Sequence, residues 1–184
     1  LEKAAKQGND KAESKLGCAY LYGKGVKADI ETARNWLGKA AGKGNPTAIS
    51  ELGTMSELGI GCDIDYIEAR RFYEKAAALG YSKAHYKLGK IYAFGKGVDI
   101  DFSKAFNWFE KAAKKGNPKA QTALGYIYAL GKGVKRDIDV ARKWFEKAAK
   151  QGDLNAHYNM RYIYYRGMRV QVYYVLEMEW FKKA

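Results

Sequence analysis

A chain of 184 residues, 47% of them hydrophobic and only two of them proline, has ample apolar material for a core and room for long helices. No stretch approaches the roughly 20 consecutive apolar residues of a membrane helix, and the first residues lack the charged start, apolar run and cleavage site of an export signal. The formal charge of +13 invites nucleic acid as a partner, but Lys39, Lys75, Lys111, Lys147 and Lys183 recur at one spacing near predicted helix ends, where a cation meets the negative helix terminus. Nucleic acid is therefore not an expected partner.

In chain order, residues 1–8 read as the end of a repeat already under way, and helices are expected over 10–22 and 29–43. The pattern then returns with a period of 36: Ala12, Ala48, Ala84, Ala120 and Ala156 keep one phase, as do Gly23, Gly59, Gly95, Gly131 and Gly167. Full repeats are read at 11–46, 47–82, 83–118 and 119–154, with a divergent, truncated repeat at 155–184, all within one repeat domain. Both ends fall inside a repeat, which reads as a piece of a longer protein.

Within a unit, Ala12, Leu16, Ala19 and Tyr20 follow one helical face, and Ala33, Trp36, Leu37, Ala40 and Ala41 another. Asn45-Pro46 and Asn117-Pro118 mark starts of the first helix, the asparagine as cap and the proline at a position whose missing N–H costs nothing. Gly23 and its equivalents end that helix; Gly-Lys-Gly-Val at 23–26, 95–98 and 131–134 connects to the second, with valine inward. Asp29, Asp65, Asp101 and Asp137 cap the second helix, Asp65 and Glu68 at capping-box spacing, and Gly44, Gly80, Gly116 and Gly152 close it. Gly17, Gly53, Gly89 and Gly125 are expected to admit the partner helix closely, with Ala33, Ala69, Ala105 and Ala141 opposite. A single helix pair cannot bury both flanks, so units must stack.

The string Ala-x-x-x-Leu-Gly-x-x-Tyr-x-x-Gly-x-Gly-Val-x-x-Asp-x-x-x-Ala-x-x-Trp-Phe-x-Lys-Ala-Ala-x-x-Gly, clearest from Ala120 to Gly152, resembles the Sel-one-like repeat, a longer relative of the tetratricopeptide repeat. The resemblance implies an all-α fold, a right-handed α-α superhelix (solenoid) of about five 36-residue two-helix repeats with a concave binding face. It also implies the role of adaptor or scaffold in protein complexes, and not an enzyme. Export is common among bacterial members, so a periplasmic or secreted location is the leading expectation.

Several departures stand out. Ser56 replaces tyrosine and Cys62 valine in the second unit, and Arg161, Arg169, Tyr173 and Glu177 break the pattern in the fifth, as decay or capping or as a docking surface. Cys18 and Cys62 occupy non-equivalent positions, form no metal spacing and read as reduced thiols. A cysteine-rich branch of the family carries a disulfide in each repeat; its pattern is lacking here, so its penicillin binding and β-lactamase activity are not implied. His85 and His157 lie two repeats apart, too far for one metal ion, and read as helix-surface residues. The Gly-Lys-Gly-Val loops follow no strand and lack a phosphate-loop signature, no serine has lysine three residues on, and Asp63 and Asp65 read as capping residues. No cofactor or metal is expected.

The sequence therefore points to a scaffold holding a partner protein or peptide; the alternative is a hydrolase or glycan-binding repeat protein using the same groove. If the first helices line that groove, as in tetratricopeptide repeats, its positions are 11, 14, 18 and 21 and their equivalents. The first two repeats place Lys11, Ser14, Thr47, Ser50, Thr54 and Glu57 there. The later ones place Lys83, Tyr86, Lys90, Lys119, Tyr126, Asn155, Tyr158, Tyr162 and Tyr165 there, a lysine and tyrosine surface suited to an acidic or C-terminal peptide. The same tyrosines could instead pack between adjacent first helices.

Overall fold

A computed structural model describes residues 1–165, and their side chains as far as residue 161. Every element among these residues is an α-helix: α1 (Glu2–Lys6), α2 (Asp10–Tyr22), α3 (Ile30–Gly42), α4 (Pro46–Leu58), α5 (Tyr66–Ala78), α6 (Ser82–Phe94), α7 (Phe102–Lys114), α8 (Pro118–Leu130), α9 (Ile138–Ala149) and α10 (Leu154–Tyr165). The expected helix boundaries are met to within a residue, and the 36-residue period carries through all of the helices from α2 onward.

The boundaries have local causes. Asn9, Asn45 and Asn117 accept from the backbone N–H three residues on and start α2, α4 and α8. The second helices begin in the same way, Asp29, Asp101 and Asp137 each accepting from the third N–H. Asp65 accepts from both Ile67 and Glu68, but the return half of the expected capping box is not made. Glu68 instead receives the Ser56 hydroxyl at 2.6 Å, and the Asp65 N–H donates to the Ser56 carbonyl. That backbone bond recurs as Asp29 to Tyr20, Asp101 to Tyr92 and Asp137 to Tyr128, so the cap residue is already tied to the first helix and has no donor left for a box. First helices end on left-handed glycines, Gly23 at φ 64° among them, a conformation that disfavours any side chain.

The chain divides into two compact units after Ala84. In the first, α1 packs on α2, α2 on α3, α3 on α4 and α4 on α5. Its core is Leu21, Ala33, Leu37, Ala40, Ala48 and Met55, with a smaller cluster of Ala5, Ala12 and Leu16 beneath Trp36. In the second unit α7 packs on α8, α8 on α9 and α9 on α10. Phe109, Ala112, Ala120, Leu124 and Ile127 form one core there, and Ala141, Phe145, Ala148 and Ala156 continue it. Val134 packs inward, as expected of the loop valine.

The glycine notch is present, but its occupant differs from the expected alanine. An added Cβ would lie 2.7 Å from Leu37 at Gly17, 3.0 Å from Tyr73 at Gly53, and 2.5 Å from Phe109 and Phe145 at Gly89 and Gly125. The large residue four places after each alanine fills the notch, while the alanines Ala33, Ala69, Ala105 and Ala141 are buried beside it.

Candidate functional site

The first-helix face is shaped by what the neighbouring repeat covers. Ser14, Ser50 and Thr122, at one groove position, are buried, as is Glu57 at another, while Lys11 is exposed and Thr47 and Thr54 are half-buried. In the second unit Lys119 and Asn155 are exposed at equivalent positions of α8 and α10, and Tyr158 is 43% exposed one turn beyond Asn155. Lys90 is half-buried, its Nζ 5.8 Å from the Phe94 ring centroid. Tyr86 and Tyr126 are half-buried and rest on the notch-filling rings: Tyr86 lies 5.8 Å from Phe109, and Tyr126 lies edge-on to Phe145 at 5.4 Å. The Tyr126 hydroxyl also accepts from Asn159 Nδ2 at 2.9 Å, a contact between successive first helices. Lys83 is exposed in the first unit; the side chains of Tyr162 and Tyr165, and all of Arg169, Tyr173 and Glu177, lie outside the described residues.

Buried polar residues pair within and between repeats, and hydrophobic periodicity carries no sign of them. Glu13 is 3% exposed and meets Lys43 Nζ at 2.7 Å. At the equivalent place in the fourth repeat Gln121, also buried, accepts from Gln151 Nε2 at 2.8 Å, a neutral pair in the same geometry. Tyr73 donates to Glu57 at 2.7 Å, and burial, with the Glu57 charge beside it, pushes the phenol pKa up. Tyr22 donates to Glu51 at 2.6 Å, and burial together with that hydrogen bond raises its pKa too.

His85 is not a surface residue: it is buried and its ring lies 5.7 Å from that of Trp108. Its equivalents Glu13, Ile49 and Gln121 are buried likewise, and His157 is exposed. Cys18 is half-buried with its thiol pushed up to about 11, first by burial and then by Glu51, whereas Cys62 is exposed. Among the described residues no group of His, Cys, Asp and Glu could hold a metal ion, and no helix is long and apolar enough to cross a membrane. The recurrent lysines also do more than face a helix end: Lys39, Lys111 and Lys147 lie 4.4 to 4.6 Å above the rings of Trp36, Trp108 and Trp144 three residues earlier.

These features define a tandem array of two-helix repeats whose first helices present a variable face on a constant frame. The Sel1 repeat signature matches residues 1–9, 10–45, 46–81, 82–117 and 118–153, and the chain belongs to the Sel1 repeat family. A Sel1 repeat protein from Oxalobacter formigenes is 36% identical, with a TM-score of 0.86 over 91% of this chain and 68% of that one. A protective antigen present in uropathogenic Escherichia coli strains, displaying the same repeat fold, is 36% identical with a TM-score of 0.82, covering 90% of this chain and 36% of that one. Helicobacter pylori cysteine rich protein B is 30% identical with a TM-score of 0.54, covering 67% of this chain and 94% of that one. Among curated proteins none matches. Sel1 repeat proteins are generally non-catalytic scaffolds for protein–protein interaction.

Proposed function

We propose that the chain is such a scaffold and that the first-helix face of the second unit holds an acidic peptide. The observation that carries this reading is the pair of exposed equivalent positions, Lys119 and Asn155, with Tyr158 one turn along α10. Tyrosine supplies contact area with a polar tip at low entropy cost, and lysine attracts carboxylates. Lys90, Tyr86 and Tyr126 border the same face, but Tyr126 also serves the packing, so it is a poor probe of binding. Tyr162 and Tyr165 extend the proposal by their repeat positions alone.

The test is titration of a fluorescent Glu-rich peptide by anisotropy. Lys119→Ala with Tyr158→Ala should weaken binding at least tenfold while leaving the thermal midpoint nearly unchanged. Unaltered binding by the double variant, or equal binding of a Lys-rich peptide, would reject the reading.

A further inference from the structure

The loop of the second repeat differs from its counterparts in two ways at once. The loops of the first, third and fourth repeats carry lysine between their glycines, at Lys24, Lys96 and Lys132, and the fourth adds Lys135 and Arg136. The second has Ile60 there and Cys62 in place of valine, and from Leu58 to Ala69 it holds Asp63, Asp65 and Glu68 with no lysine or arginine, in a chain of +13. Its aliphatic residues also face outward: Leu58 is 56% exposed, Ile64 58% and Ile67 52%. Ile64 lies against the turn at Gly59, beside Leu58, and Ile67 is in the first turn of α5. All three stand within one short stretch joining α4 to α5, and exposed apolar side chains gathered in one place are the usual mark of an interaction site. Ile60, by contrast, packs against the core, and Arg34 reaches the loop from the first repeat with its guanidinium donating to the Ile60 carbonyl at 3.2 Å.

We infer that this loop is a second docking surface, taking a basic segment with apolar side chains from a partner protein. The apolar side chains supply the area, and the carboxylates select the sign. Asp63 is exposed at the middle of the loop, and Asp65 and Glu68 are exposed as well, the one capping α5 and the other holding Ser56. A second copy of this chain is a poorer occupant, because two chains of +13 repel each other. The surface stands independently of the first-helix face proposed above, being confined to the first unit.

The probes are two short synthetic peptides, one alternating Leu and Lys and the other Leu and Glu, titrated by calorimetry into the intact chain. The Leu/Lys peptide should bind, more weakly as salt is raised, and protect Cys62 from thiol labelling in a Cys18→Ser background. Ile64→Ser with Ile67→Ser should weaken binding at least tenfold, and Asp63→Lys, at an exposed site, should weaken it without touching the fold, as circular dichroism would verify. Lys119→Ala should leave it unchanged. No binding, equal binding of the Leu/Glu peptide, or indifference to Asp63→Lys would overturn the inference. So would sedimentation showing self-association that the Ile64→Ser, Ile67→Ser variant abolishes, which would assign the patch to a second copy.

Discussion

Gly125 and Phe145 interlock: a Cβ on the glycine would sit 2.5 Å from the ring, inside any tolerable contact. The aromatic side chain occupies the volume the glycine vacates, and Gly89 with Phe109 repeats the arrangement. Gly38, on the open side of α3, leaves open space around an added Cβ, with nothing within 4 Å.

The two kinds of glycine should therefore respond oppositely. Gly125→Ala forces the ring or the helix to shift and should cost about 1 to 3 kcal/mol. Gly38→Ala should add about 0.5 to 1 kcal/mol by lowering the freedom of the unfolded chain. Urea midpoints of the two variants against the parent measure both, and a stabilised Gly125→Ala would mean that the notch is not tightly filled.

The helix ends were legible because their causes are local: Asn9, Asn45 and Asp29 act within three residues of themselves, and Gly23 needs only its own φ. What faces Gly17 was not legible. Periodicity places a small residue on each helix, but how the two helices dock sets which residue meets the glycine, and it is Leu37 and not Ala33. His85 was misread as a surface residue for a related reason: its burial comes from stacking against other helices, and the apolar stripe of its own helix is silent about it. On the candidate site, residue types were legible and accessibility was not, since Tyr126 and Tyr158 look alike in sequence and differ in what covers them.

Glu13 and Lys43 offer a second test. Lys43→Ala leaves a buried carboxylate without its cation and should cost about 2 kcal/mol, less than for a fully buried pair because Lys43 is itself partly exposed. Glu13→Gln with Lys43→Gln copies the solution the fourth repeat already uses at Gln121 and Gln151, and should recover most of the loss. A thermal melt of the single and double variants decides it: a double variant no better than the single one would show that the two sites are not equivalent.

Carboxylates held by hydrogen bonds predict an acid limit. The Thr32 N–H holds the Asp29 carboxyl below its ordinary value, the Lys104 N–H does the same for Asp101, and the Asn45 side chain lowers that of Asp10. Each is lower in the folded state than in the unfolded one, so its contribution is complete above the ordinary carboxylate range and is lost as pH falls through the folded value, below about pH 4. Asp29→Asn with Asp101→Asn keeps the caps but removes the titration. Melting temperatures followed from neutral pH down to about pH 2 should fall less steeply in this double variant than in the parent; parallel slopes would contradict the assignment.

The seams between repeats carry a further consequence. Tyr22 donates to Glu51 between the first and second repeats and the α4 cap Asn45 donates to Asp10 of α2, whereas Asn159 donates to Tyr126 between the fourth and fifth and Thr122 of α8 donates to the α10 cap Asp153. Leu130, standing where Tyr22 stands in the first repeat, has no hydroxyl to offer. The backbone units are interchangeable in length and shape, but their mating surfaces are keyed. A gene that duplicated or shuffled these modules would keep every helix and lose the keys, so the order of the repeats is as much a part of the fold as their number.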